Sequence, residues 1–380
     1  MKIIHVYNQG LHHDVRTRRY GQALTDRFRE IEYHLIGQRL IIDDKLFEIL
    51  SESFRIVRLR FFFFTNNLSS LKVLNFALWL LNVLIYVIKQ NDVKVISAHS
   101  LKVLPVCVIG SILKRSKLIY DTHEIETHTT NNKLIINLLI LVEKICMLQV
   151  SQIIVTSPGH YRWYKDKYNV PVLLVRNCPS IKEKPQSEID YKRDLRKLLG
   201  LTKDDVLYIY IGVIHVSRGL NVILESFQNC EKRNHILFLG FGDVQPIINL
   251  ADEYSNIHYI KPVPPMELVK YISTADIGIH MMDSSNLNHK MALPNKPMQY
   301  MAAGLPCIVS NVEVMAGLVK EANSGWILQE GDVVALTNLI NKIRRKDIEE
   351  YAFNAQLWFA DNNWELESLQ LTQLYEPLIK

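Results

Sequence analysis

Ala292-Leu-Pro-Asn-Lys-Pro-Met-Gln-Tyr-Met-Ala-Ala-Gly-Leu-Pro-Cys-Ile-Val-Ser310 reads as a loop, one helix, a glycine stop and a buried strand. Pro297 suits a first helical turn, where its missing N–H would have no partner in any case. Gly304 suits the left-handed stop ahead of Pro306. The helix is expected over Pro297 to Ala303. Behind it, Cys307-Ile-Val has the unbroken apolar run of a parallel strand covered on both faces. The loop from Leu293 to Lys296 therefore aims free backbone N–H groups and one lysine at a single spot, which is how a helix N-terminus receives a phosphate. The same alternation of apolar strand-like runs with helical patterns continues in both directions to the chain ends, the signature of α/β architecture with parallel sheets.

A chain of 380 residues with 48 % hydrophobic and 22 % charged residues has the composition of a globular protein of two domains. Charge is unevenly divided: residues 1–177 hold 24 Lys and Arg against 14 Asp and Glu, while 178–380 hold 20 against 25. A basic front half suits an anionic lipid surface or a pyrophosphate-bearing substrate. No run of basic residues interleaved with stacking aromatics appears, so nucleic acid is not expected as a partner. Cys107, Cys146, Cys178, Cys230 and Cys307 are scattered through apolar runs, which argues for reduced core residues and against a disulfide frame or a zinc site. The first apolar run, from Lys2 to Tyr7, is too short for a signal peptide and reads as the first strand of a cytoplasmic protein.

Upstream of the organising stretch, Ala275-Asp-Ile-Gly-Ile-His280 is a strand delivering residues 286–291 to the same end of the sheet. Leu207 to Ile211 opens the second domain and runs into Gly212-Val-Ile-His-Val-Ser-Arg-Gly-Leu220. Ile236 to Leu239 runs into Gly240-Phe-Gly242, a pair that fits a tight turn as well as a ligand. Residues 180–190, with their prolines and charges, have linker composition. In the front half, Val93–His99 and Leu118–Tyr120 are strands, so His99 and His123 fall at carboxyl ends, where open parallel sheets bind ligands. Asp43, Asp44, Asp204 and Asp205 read as solvated acids.

Leu293-Pro-Asn-Lys296, followed by Gln299-Tyr-Met-Ala-Ala-Gly304 and Pro306, resembles the donor-site segment of the family 4 retaining glycosyltransferases, in the branch with a Leu-Pro-Asn-Lys motif. The resemblance implies a GT-B fold: two Rossmann-like parallel-sheet domains facing across a cleft, with a C-terminal helix crossing back to the first. The implied bounds are 1–177 for the acceptor-side domain, 178–200 for a linker region and 201–349 for the nucleotide-sugar domain, with about 350–380 rejoining the first. It also implies a donor site at Gly212, Arg218, Gly240, Gly242, Val263, Leu293, Asn295, Lys296 and Gln299. Arg218 and Lys296 would grip the diphosphate and His123 would lie beside the reacting sugar, these three being the catalytic candidates. Gly10, Asp14, Arg16, His99 and Glu124 are the acceptor-side candidates, with an exposed basic loop as the plain alternative for 10–16. Three positions depart from the pattern: Gln299 and Met291 stand where relatives carry glutamates, and Val213 where many carry an arginine.

In such a reaction the anomeric C–O bond breaks, leaving negative charge on the diphosphate and positive charge on the sugar ring. Fixed cations and amides at the phosphates are then the main catalytic device. Similarity to a retaining family implies that the leaving phosphate takes the acceptor's proton, so neither a carboxylate nucleophile nor a metal or other cofactor is expected. The donor would be a UDP- or GDP-sugar, and the acceptor a saccharide, lipid-linked, in cell-surface polysaccharide synthesis. A nucleotide-sugar epimerase of the same architecture and a non-catalytic sugar- or nucleotide-binding subunit are the alternatives. Arg55-Ile-Val-Arg-Leu-Arg-Phe-Phe-Phe-Phe64 combines a basic rim with aromatic bulk suited to the headgroup layer of an anionic leaflet, or forms a buried strand. The apolar run after it is interrupted by Lys72, Asn75 and Asn82, so peripheral contact at the inner face of the membrane is expected rather than a spanning helix.

Overall fold

The computed structural model describes residues 1–11, 14–39, 45–60, 69–183 and 194–379. They form two compact units, one of Met1–Arg176 with Ser368–Lys380 and the other of Asn177–Glu367.

The strands of unit 1 are β1 (Lys2–Val6), β2 (Glu32–Arg39), β3 (Phe47–Ser51), β4 (Phe54–Arg60), β5 (Val93–Ala98), β6 (Lys117–Thr122), β7 (Val150–Val155) and β8 (Val172–Leu174). They lie in the order β3-β4-β2-β1-β5-β6-β7-β8, parallel except where β3 meets β4. Strand β1 pairs on one side with β2 (Ile4 opposite His34) and on the other with β5 (Ile4 opposite Ile96), so the direction of winding reverses beside it. Helices α1 (Val15–Arg27), α2 (Ser69–Lys89), α3 (Leu104–Lys114), α4 (Lys133–Cys146) and α5 (Pro158–Lys167) supply the crossovers. Asp14 caps α1 by accepting the Thr17 N–H, and Ser157 caps α5 through the His160 N–H.

Helix α2 is long and apolar enough to cross a membrane by length and composition. One side of it, Trp79, Val83 and Val87, is buried with Ile96, Val106 and Cys107 in the core of unit 1. Phe61–Phe64 lie outside the described residues.

Unit 2 is a six-stranded parallel sheet of β9 (Val206–Ile214), β10 (Asn234–Gly242), β11 (Ile257–Ile260), β12 (Ile277–His280), β13 (Cys307–Ser310) and β14 (Gly325–Leu328). The order is β11-β10-β9-β12-β13-β14, with the reversal between β9 and β12. Its helices are α6 (Leu195–Leu198), α7 (Leu220–Asn229), α8 (Gln245–Glu253), α9 (Leu268–Ile272), α10 (Leu287–Met291), α11 (Asn295–Ala302), α12 (Glu313–Ala322), α13 (Val333–Lys342) and α14 (Arg345–Asp361), while α15 (Trp364–Ile379) belongs from Ser368 onward to unit 1. The expected glycine stop is present: Gly304 has φ +78° directly after the Ala303 cap of α11. The helix begins two residues earlier than Pro297, at Asn295, so Lys296 belongs to its first turn.

Two boundaries differ from the sequence expectation. Cys178 and Leu195, expected in a linker, are fully buried in the core of unit 2. The expected return segment of about 350–380 divides at Glu367, because Ala355, Trp358 and Phe359 of α14 pack into that same core against the Met298–Met301 side of α11. Leu371 and Tyr375 fall in unit 1, where the Tyr375 hydroxyl meets His5 Nε2 at 3.0 Å.

Candidate functional site

In unit 2 the expected donor residues collect around the β9–β12 reversal, the position where open α/β sheets receive ligands. Strand β9 carries Gly212 with φ +97°, and a Cβ added there would lie 3.0 Å from Lys296 Cε and 3.6 Å from Nζ. The lysine stem thus rests on bare backbone, and any side chain at Gly212 would displace it. Arg218 ends the turn Val216–Arg218, and its Nη1 lies 3.3 Å from the Met282 sulfur just beyond β12. Gly219 then opens α7 with φ +70°, where a Cβ would fall 2.4 Å from that of Met281. Only glycine lets the helix start so close to the end of β12.

Burial and the nearby Arg218 guanidinium together push the Lys296 ammonium down to about 8. Beneath the two cations His280 is fully buried, with neither ring nitrogen hydrogen-bonded among the described residues. Burial, then Lys296, then Arg218 hold its pKa well below the ordinary histidine value. No carboxylate offsets these cations among the described residues. The unit therefore holds two uncompensated cations at a helix start, an arrangement stabilised by a bound polyanion.

The remaining donor candidates divide. Asn295 is exposed in the first turn of α11, Gln299 is half-buried one turn on, and Leu293 is buried ahead of them. Val263 packs against the core at the end of the β11 segment. Gly240 has a structural reason of its own: a Cβ there would sit 1.9 Å from the Gly212 carbonyl oxygen on the neighbouring strand. Gly242, with φ +121°, would meet the Ile214 carbonyl in the same way. Both glycines allow β9 and β10 to stay close beside the site.

In unit 1 a pocket of about 480 Å³ opens at the carboxyl ends of β1, β5 and β6, lined by Tyr7, Gln9, His99, His123, Glu124 and Glu126 among others. His123 is half-buried, and its Nε2 lies 3.4 Å from His99 Nδ1 and 3.6 Å from Asp121 Oδ1. Burial lowers the pKa of His5, His99 and His123, so all three rings are neutral at pH 7. Glu124 is exposed at the rim. Glu126, which the sequence reading missed, accepts the Leu101 N–H at 2.8 Å, and burial pushes its carboxyl up to about 8. Its signal was the third acid of Asp121-Thr-His-Glu-Ile-Glu126.

The residues expected on an acceptor-facing loop are placed otherwise. Arg16 is 4 % exposed, and its guanidinium is spent on the Val175 carbonyl (2.9 Å) and Asp121 Oδ1 (3.3 Å). Asp14 is a helix cap, and Gly10 is buried. Arg16 therefore fixes Asp121 beneath the two pocket histidines and is not itself on a surface loop.

Residues 192–355 match the family model described as "Glycosyl transferases group 1". That part of the chain, somewhat under half of it, is similar to the group 1 glycosyltransferases. The chain is 21 % identical over 185 residues to the amylovoran biosynthesis glycosyltransferase AmsK of Erwinia amylovora, covering 47 % of this chain and 46 % of that one. The matched region thus spans about half the length of that relative. The GT-B architecture extends through the whole chain. Sucrose-phosphate synthase from Thermosynechococcus elongatus superposes over 100 % of this chain and 99 % of its own, with a TM-score of 0.80 at 18 % identity. Anabaena HepE, solved in complex with UDP-glucose, does so over 99 % and 100 % with a TM-score of 0.75 at 16 % identity.

Proposed function

We propose that this glycosyltransferase family member moves a sugar, with retention of configuration, from a nucleotide-diphosphate sugar to a lipid-linked saccharide in cell-surface polysaccharide synthesis. The observation that carries the reading is the pair Arg218 and Lys296, two cations without a counter-charge at the start of α11. As the anomeric bond breaks, charge accumulates on the distal phosphate, and preset cations there stabilise the transition state more than the ground state. The related HepE was solved with UDP and UDP-glucose, which favours a uridine donor. Glycosyltransferases of amylovoran and of capsular polysaccharide biosynthesis among its relatives favour a polysaccharide product. On the acceptor side, His123 and Glu126 would meet the incoming saccharide.

The lipid-linked acceptor and a peripheral membrane location rest on the outer face of unit 1. Neighbouring helices α2, α3 and α4 expose Val73, Leu81, Ile112, Leu134, Leu138 and Ile145, each more than 50 % accessible, and Ile85 and Ile109, at 41 % and 47 %, are exposed on the same helices. Lys72, Lys89, Arg115, Lys133 and Lys144 are exposed on or beside this face. The one acidic residue of the three helices, Glu143, is buried and bound by Lys167 at 3.0 Å. Apolar bulk with only positive charge around it matches an anionic bilayer surface.

The test is a panel of UDP- and GDP-sugars given to the purified chain in anionic vesicles, with and without a lipid-linked saccharide. Acceptor-dependent release of nucleoside diphosphate and an α- or β-product of the donor's own configuration is expected. An epimerised donor without transfer, or nucleotide binding with no turnover across the panel, would overturn the reading.

Gln299 lies on α11 one turn beyond Lys296, where relatives in this branch carry glutamate. A carboxylate accepts two ribose hydroxyls with charge-assisted bonds of about 1.5–3 kcal/mol, against about 0.5–1.5 kcal/mol for a neutral amide. Gln299→Glu is accordingly expected to leave donor affinity equal or improve it, as measured by calorimetry. A large loss would mean that the amide N–H groups have a task of their own.

A further inference from the structure

We propose that the arm of the unit 1 pocket between α3 and α4 binds a lipid phosphate, the part of an acceptor that joins its saccharide to a hydrocarbon chain. The sugar end of that ligand rests on the transferase reading above, whereas the site itself stands on unit 1 alone. The pocket, of about 480 Å³, falls in the range of about 300–1,000 Å³ usual for small-molecule sites. Its wall changes character from one part to the next. Tyr7, His99 and His123 present polar atoms at the carboxyl ends of β1, β5 and β6. Lys102 and Pro105 follow at the start of α3, and Leu139 and Val142 of the neighbouring α4 complete the lining there.

The apolar part of this wall is continuous with the outer face of the unit. Leu139 and Val142 each have an exposed neighbour in sequence on α4, Leu138 at 59 % accessible and Leu141 at 54 %. Adjacent positions on an α-helix lie about 100° apart, so one helix turns apolar side chains both to the pocket and to the face proposed for membrane contact. A hydrocarbon chain lying against Leu139 and Val142 thus continues onto Leu138 and Leu141 without leaving apolar surface. The saccharide at its other end points back toward His99 and His123.

Charge specifies the phosphate. Lys102 is exposed and stands just ahead of α3, whose first turn has no side-chain cap, so an ammonium and the positive end of a helix dipole bear on the same place. The two carboxyls of the lining do not cancel this. Glu126 accepts the Leu101 N–H at 2.8 Å, and burial pushes its carboxyl up to about 8, so it is uncharged at pH 7. Glu124 follows His123 in the chain and is exposed at the rim, where water screens it. His99 and His123 are neutral, which leaves Lys102 as the one cation among the described lining residues. An exposed lysine, a helix start and an apolar wall in one pocket suit the phosphate ester of a long-chain alcohol. A free sugar phosphate would leave the apolar wall unused.

Full-length chain titrated with dodecyl phosphate, below its micelle-forming concentration and without donor, should bind one equivalent by calorimetry. Inorganic phosphate and the uncharged dodecyl maltoside should each bind at least about tenfold more weakly, since each lacks one half of the recognised group. Lys102→Glu, at an exposed position, should lower the affinity for dodecyl phosphate by about tenfold or more. Val142→Trp, which fills the arm, should do the same, with thermal melts confirming that each variant is folded. Equal affinity for dodecyl phosphate in wild type and Lys102→Glu would overturn the site, as would equally tight binding of inorganic phosphate or of the maltoside. Vesicles of anionic phospholipid should bind Lys102→Glu as tightly as wild type, because the outer face and not the pocket meets them. A loss there as large as the loss with dodecyl phosphate would assign Lys102 to the membrane face and overturn the site too. The readout needs no turnover, so its failure leaves the transferase reading intact, and an inactive transferase would leave the binding result standing.

Discussion

Lys296→Met should lower kcat by about 10²–10³, the usual cost of removing one preset charge or donor from a transition-state oxyanion site, while leaving the folded chain at least as stable at pH 7. The two halves of that statement come from one fact. Burial and Arg218 lower the Lys296 pKa from 10.5 to about 8, so the fold disfavours the charged form. The native pKa lies below the unfolded one, hence the unfolded chain binds the extra proton between about 8 and 10.5. Stability from this group therefore rises with pH across that window and is lowest below it, where the buried ammonium is fully charged. Methionine removes the cost. A bound diphosphate reverses the preference, because two negative phosphates draw the pKa back up. Donor affinity should be flat below pH 8 and fall towards tenfold per pH unit above it, as binding comes to require uptake of a proton. In the Met variant that slope should vanish. Calorimetry in two buffers of different ionisation enthalpy, with thermal melts across pH, reads both effects. If kcat changes by less than about threefold, Lys296 does not touch the transferring phosphate.

How this site could be read from the chain, and where the reading failed, follows from the range of the forces involved. The α11 region is governed by local rules: a proline tolerated in the first turn, a left-handed glycine at the stop, an apolar strand behind. All three act within a few residues, so Lys296 and Gly304 were placed from sequence with an error of one or two positions. Gly212, expected at the donor site, lies directly beneath the Lys296 stem.

Strand β2, Glu32–Arg39, was missed for the opposite reason. His34 and Gln38 break its apolar run, yet both are buried in the sheet, where His34 Nδ1 meets the Tyr86 hydroxyl at 3.0 Å. The His5–His99–Tyr375 chain joins residues as much as 370 positions apart, and no spacing rule reaches that far. Arg16 was misread because an arginine in a basic stretch is normally solvated. The partner that buries it, Asp121, lies 105 residues away on another strand.

That buried pair yields the largest expected effect on stability. Arg16→Met should cost about 3–5 kcal/mol, the loss typical of stripping one partner from a buried ion pair. Asp121 has no exposed surface, so its charge would have neither water nor a cation to stabilise it, and the Val175 carbonyl would lose its donor as well. The loss is of desolvated charge left unpaired and not of the pair's net attraction, so it should be recovered in part when the carboxylate is neutralised too. The double variant Arg16→Met with Asp121→Asn is therefore expected to be more stable than Arg16→Met alone, although it has lost one more native group. Arg16→Lys should fall between wild type and Met: the ammonium keeps the charge near Asp121, but one point charge cannot serve the carboxylate and the Val175 carbonyl with the guanidinium's planar geometry. Urea unfolding of the four proteins separates these cases. A cost below about 1 kcal/mol for Arg16→Met would mean that water reaches Asp121 when the guanidinium is gone, and the pocket floor would then be far less dry than its burial implies.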